Sequence, residues 1–403
     1  MFKRILMFES VTSKRQTFVY FYAYFVLGAI ISSLGPTLHY LSTQAQVGVS
    51  QIGLLFSARS FGYLIGSLLF GRLYDRVSGH RILMFIFIAS ALITVSIPWL
   101  PSLGFMLVFI FFTGVMLGGV DVGSNTLLAW VHGHKSGPFL TAMFFFAGLG
   151  SVFSPLIVSF FDRVPYGGVF SYLIIGLLLI PGIILAWRSP SPNIRSRTVE
   201  ESAAPLPIFS FVAFAILFLL YVGAEVSFGG WIHTFITSSA LGDMRTASLF
   251  NTAFWVAITV GRLLMIPLAI KFTPRRLVLA CLLGAIGSIS LVLIFPGSIT
   301  AAWIMILGVG LSIASLFPIT FAITERMIQI TGTRNGILWA VGSAGGIILP
   351  WFVGMEISNG ANAFPKVLLL SWGFALLVFL AILTYRRLSK SIVSSEDHIQ
   401  YLP

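Results

Sequence analysis

The sequence predicts an all-α membrane protein with twelve transmembrane helices in two six-helix pseudo-repeat bundles. Hydrophobic residues make up 57% of the 403 residues and charged residues 9%, with a mean hydropathy of +0.99. A soluble domain carries roughly a quarter charged residues, so this chain has too few polar side chains to cover a surface in water. Apolar runs of about 20 residues, the length that crosses a bilayer, recur along the chain.

Twelve apolar runs, separated by glycine, proline and charged residues, predict the spans in order. They are 18–40, 50–71, 82–100, 103–130, 138–161, 168–187, 208–236, 246–270, 277–295, 299–324, 334–356 and 366–385. The only long polar stretch inside the chain follows the sixth run. We therefore predict an amino-terminal bundle (1–187), a cytoplasmic linker (188–207) and a carboxy-terminal bundle with a short cytoplasmic tail (208–403).

The distribution of basic residues predicts the orientation. Of the 24 Lys and Arg residues, nineteen lie in the termini and even-numbered loops, three in odd-numbered loops and two, Arg59 and Arg262, within spans. Because basic loops stay on the cytoplasmic side, we expect both termini in the cytoplasm. We expect a multi-pass protein of the plasma (cell inner) membrane. We expect a monomer whose partners are the lipid bilayer and a small-molecule substrate.

Composition and motifs also exclude classes of function. A soluble enzyme, a nucleic-acid-binding protein and a secreted disulfide scaffold are excluded, since the basic residues follow loop sidedness and the chain has a single cysteine. No phosphate-binding loop, zinc-ligand spacing or nucleophile–base arrangement is present in the sequence. We therefore expect no enzymatic activity, no cofactor and no resident metal ion.

One motif carries a family resemblance. The segment GRLYDRVSGHR at 71–81 matches the pattern G-x-L-x-D-R-x-x-G-[basic]-R, and in this respect the chain resembles the major facilitator superfamily. The resemblance implies that Asp75 faces the start of span eleven, near Arg334, where a helix N-terminus favours a carboxylate. We expect Asp75, Arg76, Arg81 and Arg334 to form a cytoplasmic gate. The alternative is that these charges only anchor the loop and set the topology.

The halves also resemble each other, because one constant shift places Gly66 on Gly261 and Arg81 on Arg276. Two six-span halves joined by a polar loop form the parallel-repeat plan of alternating-access transporters. Further segments carry a closer similarity: LGPTL at 34–38, ARSFGYLIGS at 58–67, DVGSN at 121–125 and YVGAEVSFGG at 221–230. In these the chain resembles the sodium-dependent glucose transporter group and, more distantly, the fucose–proton symporters. This resemblance implies uptake of a hexose-like solute coupled to a cation.

Four charged residues lie deep in the predicted spans, away from their ends: Arg59, Asp121, Glu225 and Arg262. Each would cost about 2.5–3.5 kcal/mol at the bilayer centre, and four unpaired charges would cost on the order of 10 kcal/mol, comparable with the net stability of a protein. They must therefore face a polar cavity or one another. We predict Arg59 and Arg262 as intramembrane charge partners, with purely structural pairing as the alternative.

Asp121 is predicted to couple cation movement to transport. Asn125 follows four residues later on the same helix face. An enclosed carboxyl group can carry a proton, and its oxygens can instead bind Na⁺ together with Asn125. In the fucose symporters the matching acid takes the proton, but their second acid, in span one, aligns with Ser32 here. The coupling ion is therefore open between H⁺ and Na⁺, and a structural ion pair is the alternative role.

Glu225 lies in the glycine-rich segment 223–230, which weakens the helix and exposes carbonyl groups. Transporters bind substrates and ions at such helix breaks, so we predict that Glu225 accepts sugar hydroxyls or shares the cation. The alternative is that the glycines allow close helix packing.

A sugar site needs polar groups and flat aromatic rings. The residues predicted to contact the substrate are Asn125, Glu225, Trp231, Asn251, Trp255 and Trp339. We predict Trp99, Trp187 and Trp372 as interface anchors.

Taken together, these features predict a secondary transporter that takes up a monosaccharide-like solute with H⁺ or Na⁺ by alternating access. Proton-coupled drug efflux is an alternative, because it shares the 71–81 motif. A receptor that binds the solute without moving it is a third hypothesis.

Overall fold

The computed structural model describes residues 10–133, 136–162, 164–192, 207–328 and 332–399. In these ranges every regular element is helical, and twelve helices are long and apolar enough to cross a membrane, which confirms the predicted fold class. The helices are α1 (Val11–Ala45), α2 (Val49–Tyr74), α3 (Gly79–Trp99), α4 (Leu103–His132), α5 (Ser136–Phe161), α6 (Gly167–Arg188), α7 (Ile208–Ser238), α8 (Met244–Lys271), α9 (Pro274–Ile294), α10 (Ile299–Ile313, continuing as Leu316–Met327), α11 (Gly332–Ile357) and α12 (Ala363–Ile399).

Short polar side chains begin several of these helices. Ser10 and Ser13 form a capping box at the start of α1. Asp243 accepts the backbone N–H of Thr246 at 2.8 Å and so caps α8. These side chains satisfy N–H groups that have no partner inside the first helical turn. The local sequence therefore accounts for where these helices begin.

The break in α10 follows from a proline. Pro318 has no N–H, so the carbonyl of Ala314, four residues earlier, loses its intrahelical donor. The helix is interrupted at Ala314 and Ser315 and resumes at Leu316. Two side chains from neighbouring helices bond carbonyls at this break: Tyr221 donates to Ile313 at 3.3 Å, and Arg262 donates to Ala314 at 3.3 Å.

Within the amino-terminal half (α1–α6), α2 and α4 are in close backbone contact. A Cβ on Gly62 would lie 1.9 Å from the carbonyl oxygen of Phe111, and one on Gly114 would lie 2.0 Å from that of Arg59. Only glycine permits this approach, as is common between membrane helices. The contact fixes the residues of α2 that face α4.

At the end of the bundle away from the chain ends, α1 and α2 of one half are in contact with α7 and α11 of the other. We call the side with the α2–α3, α4–α5 and α8–α9 turns the terminal face, and the other side the opposite face. In the half of α1 nearer the opposite face, Gly35 packs against Gly230 of α7, where an added Cβ would lie 2.7 Å from the Gly230 oxygen. Ser57 of α2 donates to the Ile347 carbonyl of α11 at 2.7 Å. The opposite face is therefore closed by contacts between the halves (α1–α6 and α7–α12).

Candidate functional site

Asp121 lies between three helices and is bonded by neutral side chains. The hydroxyl of Tyr24 (α1) donates to its Oδ1, and the hydroxyl of Tyr63 (α2) donates to its Oδ2. Asn125, one turn further along α4, donates through Nδ2 to Oδ1 at 3.1 Å and to the Asp121 backbone oxygen at 2.9 Å. We call Tyr24, Tyr63, Asp121 and Asn125 the Asp121 cluster.

Glycines of α4 bring this cluster together. An added Cβ on Gly118 would lie 2.3 Å from the Tyr63 carbonyl oxygen, so α2 approaches α4 beside the Tyr63 side chain. The sequence pattern identified Asp121 and Asn125, but it did not indicate that Tyr63 bonds Asp121, and it missed Tyr24. The only sequence signal for Tyr24 is a tyrosine inside an apolar helix. Because a tyrosine carries no charge, its position at membrane depth does not indicate a function.

The cluster is a set of donors around one carboxyl group. Both atoms of Asp121 that Asn125 approaches are acceptors, so the amide must present its nitrogen there. Hydrogen bonds to an ionised acceptor are stronger than those between neutral groups, and three donors converge on the two carboxyl oxygens. Asp121 and Asn125 are half-buried. The arrangement can hold an ionised carboxylate at membrane depth and can exchange a proton.

Glu225 and Arg262 are neighbours in the carboxy-terminal half (α7–α12). The half-buried Glu225 side chain interacts with the hydroxyl of Tyr221, one turn earlier on α7, and electrostatically with Arg262 of α8. Arg262 bonds the carbonyl freed by the α10 break through Nε, and through Nη1 it donates to the carbonyl of Phe144 on α5 at 2.9 Å. Arg262 therefore contacts both halves.

Arg59 occupies a separate position. It is 7% exposed, it donates through Nη1 to the Ile31 carbonyl of α1 at 2.8 Å, and its guanidinium carbon lies 5.6 Å from the ring centre of Phe56. Among the residues that the structure describes, no carboxylate forms an ion pair with Arg59. Its charge is thus balanced by a carbonyl dipole and an aromatic face, in place of the acidic partner that the sequence suggested.

Two of the predicted substrate contacts are enclosed by protein. Trp231 is fully buried, donates to the Pro350 carbonyl at 2.9 Å and packs on Phe56 across the two halves. Asn251 is fully buried and donates to the Gly229 carbonyl at 2.6 Å. In this conformation Trp231 closes the opposite face and Asn251 holds α8 to the glycine-rich part of α7.

The other two predicted tryptophans are less enclosed. Trp255 donates to Asn251 at 3.1 Å and packs beside Gly229, with 9% of its surface exposed. Trp339 is 40% exposed and lies against Phe317 of α10 at a ring distance of 5.0 Å. Trp339 therefore retains surface that a ligand can contact, whereas Trp255 is buried in this conformation.

The predicted gate residues lie at the terminal face. Asp75, Arg76 and Arg81 are exposed, and Asp75 forms no ion pair with any residue in the described ranges. The side chain of Arg334 lies outside the described residues. His80, in the basic position of the 71–81 motif, is instead buried, within 3.0 Å of the Tyr20 hydroxyl and 2.8 Å of the Ser189 carbonyl.

A cavity of about 430 Å³ opens at the opposite face, away from the Asp121 cluster. It is lined by Glu356, Asn359, Asn362 and Lys366 near the α11–α12 turn, and by residues of the α9–α10 turn. It belongs to the carboxy-terminal half alone. We therefore do not assign it to the candidate site.

Comparison with known proteins places the chain in a family. The family model of the Major Facilitator Superfamily matches residues 20–350. Similar curated proteins include sodium-dependent glucose transporter 1 of Danio rerio, 26% identical over 86% of this chain and 64% of the relative, so the chain spans less than two thirds of that protein. The human protein of the same name is 24% identical over 86% of this chain and 74% of its own length. Major facilitator superfamily domain-containing protein 4A of Danio rerio is 23% identical over 87% and 84%.

Solved structures show the same fold. A D-xylose-proton symporter superposes with a TM-score of 0.77 and 13% identity, covering 91% of this chain and 97% of that one. A nucleoside transporter superposes with a TM-score of 0.73 and 14% identity, covering 93% and 99%. At these identities the likeness establishes the fold only.

Proposed function

The chain belongs to the major facilitator superfamily, and from that premise we propose that it takes up a monosaccharide-like solute together with a cation by alternating access. As a member of this family it is a multi-pass membrane transporter of small molecules and not an enzyme. The observation that carries the proposal is the Asp121 cluster, because a titratable carboxyl at membrane depth with several donors is a functional feature by default.

The proposed substrate is a sugar. Curated relatives are named as glucose transporters, and the half-buried polar groups of this chain suit hydroxyl ligands. Asn125 and Glu225 supply hydrogen-bonding groups, while the exposed ring of Trp339 supplies a flat apolar surface for the C–H face of a sugar. The Trp255 ring, buried in this conformation, would supply a second one when the helices around it move. Trp231 and Asn251 act indirectly in this proposal, by holding α7 in place.

The proposed coupling cation is a proton. A bound Na⁺ requires oxygen lone pairs directed at it, whereas the Asp121 oxygens are occupied by O–H and N–H donors. Exchange of a proton needs no further ligand. The name of the relatives favours Na⁺, so the two ions must be separated by experiment.

The proposed cycle uses two bodies, residues 1–187 and 208–403, joined by the linker 188–207. Contacts of α1 and α2 with α7 and α11 close the opposite face, so this conformation releases solute to the terminal face. The basic loops favour a cytoplasmic location for the terminal face, with the chain in a plasma membrane. Asp75, Arg76, Arg81 and Arg334 would engage when the terminal face closes.

The first prediction is tested with purified protein in proteoliposomes. A panel of labelled hexoses and pentoses is assayed for counterflow and for accumulation, with Na⁺ and pH gradients imposed separately. We expect accumulation to follow the pH gradient. Asp121→Asn should abolish accumulation and leave counterflow largely intact, because the neutral side chain retains shape but carries no proton.

Glu356→Gln is the matched control, since that carboxyl lines the separate cavity at the opposite face. It should accumulate sugar like the parent protein. Accumulation that survives Asp121→Asn would remove Asp121 from coupling, and accumulation driven by Na⁺ alone would replace the proton. Absence of sugar flux, with export of lipophilic cations instead, would favour the drug-efflux alternative.

A further inference from the structure

Arg262 is held firmly within its own half. Pro318 frees the Ala314 carbonyl at the α10 break, and Arg262 supplies the missing donor through Nε. Its titratable neighbours in this half are the Glu225 carboxyl and the neutral hydroxyl of Tyr221. The bond from Nε therefore holds the guanidinium group between α8 and α10. Nη1 points away from this bond, towards the other half.

One residue of the other half, Phe144, makes two contacts with the Arg262 guanidinium. Phe144 of α5 accepts a hydrogen bond from Arg262 Nη1 at its carbonyl oxygen, 2.9 Å away, and its ring centre lies 5.8 Å from the guanidinium carbon. A cation over an aromatic face is attracted to it, and more strongly away from water. The contact between α5 and α8 is thus polar and directional at this point.

The same ring leads to the Asp121 cluster. The ring centres of Phe144 and Tyr24 are 5.4 Å apart with an interplanar angle of 89°, an edge-to-face contact. The Tyr24 hydroxyl donates to Asp121 Oδ1. A continuous series of contacts therefore runs from the carboxyl group of Asp121 through Tyr24 and Phe144 to Arg262.

We infer that Phe144 and Arg262 are positioning residues that transmit the proton occupancy of Asp121 to the contact between the two halves. An ionised Asp121 accepts from both tyrosines that face it, Tyr24 and Tyr63. A protonated carboxyl is itself a donor, so one of the two tyrosine hydroxyls can no longer donate to it and takes another partner. In this inference that tyrosine is Tyr24, and its rotation displaces the Phe144 ring on which Arg262 rests. Arg262 then loses its partner on α5 and turns to Glu225. This inference rests on the proposed function only for the role of Asp121.

The test measures the opening of the terminal face without any sugar. Cys281→Ser removes the native thiol, and spin labels on Val77→Cys and Phe272→Cys report the distance between the α2–α3 and α8–α9 turns. Asp121→Asn, which mimics the neutral carboxyl, should shift the distance distribution. Phe144→Leu keeps the main-chain carbonyl but removes the ring, and it should reduce the shift in the population ratio roughly fivefold or more.

Phe153→Leu is the matched control. Phe153 also lies on α5, is similarly exposed (49% against 41%), and makes an edge-to-face contact with a ring of α1, that of Phe25, at the same 5.4 Å. The ring that contacts Tyr24 is Phe144, whereas Phe153 contacts Phe25. The response to Asp121→Asn should be unchanged in the Phe153→Leu background.

Arg262→Lys provides a second variant, because it keeps the charge but has no fork to bond two carbonyls at once. We expect it to reduce the response as Phe144→Leu does. A full response in either background, or no response to Asp121→Asn in any background, would overturn the inference. A normal response combined with no sugar flux would count against the proposed function alone.

Discussion

The Asp121 carboxyl group is held by neutral side chains, and this determines how its charge is balanced. An ionised carboxylate away from bulk water needs donors or a cation. Here the donors come from Tyr24, Tyr63 and Asn125, so the group does not depend on an arginine. The balance between its charged and neutral forms is set by how many of those donors remain.

Tyr63→Phe should move the pH dependence of accumulation towards alkaline values. The substitution removes one O–H donor to the carboxylate, which favours the protonated form, so a higher pH is needed to release the proton. A hydrogen bond to a charged group contributes about 1.5–3 kcal/mol, which corresponds to roughly one to two pH units in the half-maximal point. The measurement is accumulation as a function of pH.

Tyr22→Phe serves as the control, since the Tyr22 hydroxyl donates to the Leu178 carbonyl on α6 and not to Asp121. Its pH profile should match that of the parent protein. If the pH dependence of accumulation is the same in Tyr63→Phe as in the parent protein, the Tyr63 hydroxyl does not affect proton release from Asp121.

Individual residues also show how far sequence reasoning reaches. It identified Asp121, Asn125, Glu225 and Arg262 because charged and amide groups are conspicuous in apolar runs. It also treated Trp372 as an interface anchor, and this was wrong: the ring is fully buried, with an edge-to-face contact to Tyr221. Hydropathy gives the depth of a side chain, but it does not show whether the side chain points to lipid or to another helix.

At the scale of elements, glycine positions determine which helices approach closely. The α2–α4 contact depends on Gly62 and Gly114, whereas the α9 glycine Gly287 faces open space. Both kinds of glycine occur in similar apolar sequences. Substitution by alanine should therefore distinguish glycines in close backbone contact from glycines that face open space, by its effect on stability.

Gly62→Ala should destabilise the protein, and Gly287→Ala should not. The new methyl group at 62 would lie 1.9 Å from a backbone oxygen of α4, so α2 and α4 must move apart, at a cost of about 1–3 kcal/mol. At 287 nothing lies within 4 Å, and alanine is favoured over glycine in a helix by roughly 0.5–1 kcal/mol. Thermal unfolding in detergent measures both.

An unchanged unfolding temperature for Gly62→Ala would mean that α2 and α4 are not held at this spacing. A lowered value for Gly287→Ala would indicate a neighbour at α9, such as a second copy of the chain.

At the scale of the whole molecule, the two halves close the opposite face through small residues and polar contacts. Gly35 and Gly230 let α1 and α7 touch, Ser57 bonds the carbonyl of Ile347, and Ser60 bonds that of Gly346 at 2.8 Å. Such contacts can separate without leaving charges unpaired. This suits an interface that must open repeatedly.

Gly35→Ala should shift the conformational equilibrium towards opening of the opposite face. Its methyl group would lie 2.7 Å from the Gly230 oxygen in the closed form, and separation of the halves removes that clash. A penalty of about 1.4 kcal/mol corresponds to a tenfold change in population. Spin labels on Thr43→Cys and Ser238→Cys, in the Cys281→Ser background, measure the distance across the opposite face.

Gly48→Ala, in the α1–α2 turn with nothing within 4 Å, is the control and should leave the distances unchanged. An identical distribution for Gly35→Ala would mean that α1 and α7 do not limit closure.

The sequence by itself determined the number of helices, their approximate bounds and the polar groups at membrane depth, because spanning length and hydropathy are local properties. The predicted run 103–130 corresponds to Leu103–His132, and 208–236 to Ile208–Ser238. Only the tertiary structure decided which groups meet: Tyr24 with Asp121, Arg262 with the Phe144 carbonyl, and Arg59 with the Ile31 carbonyl. Those partners lie far apart in the chain, and backbone carbonyls carry no sequence signal. Which of them becomes a partner depends on the rotation of each helix about its axis, and packing against neighbouring helices sets that rotation.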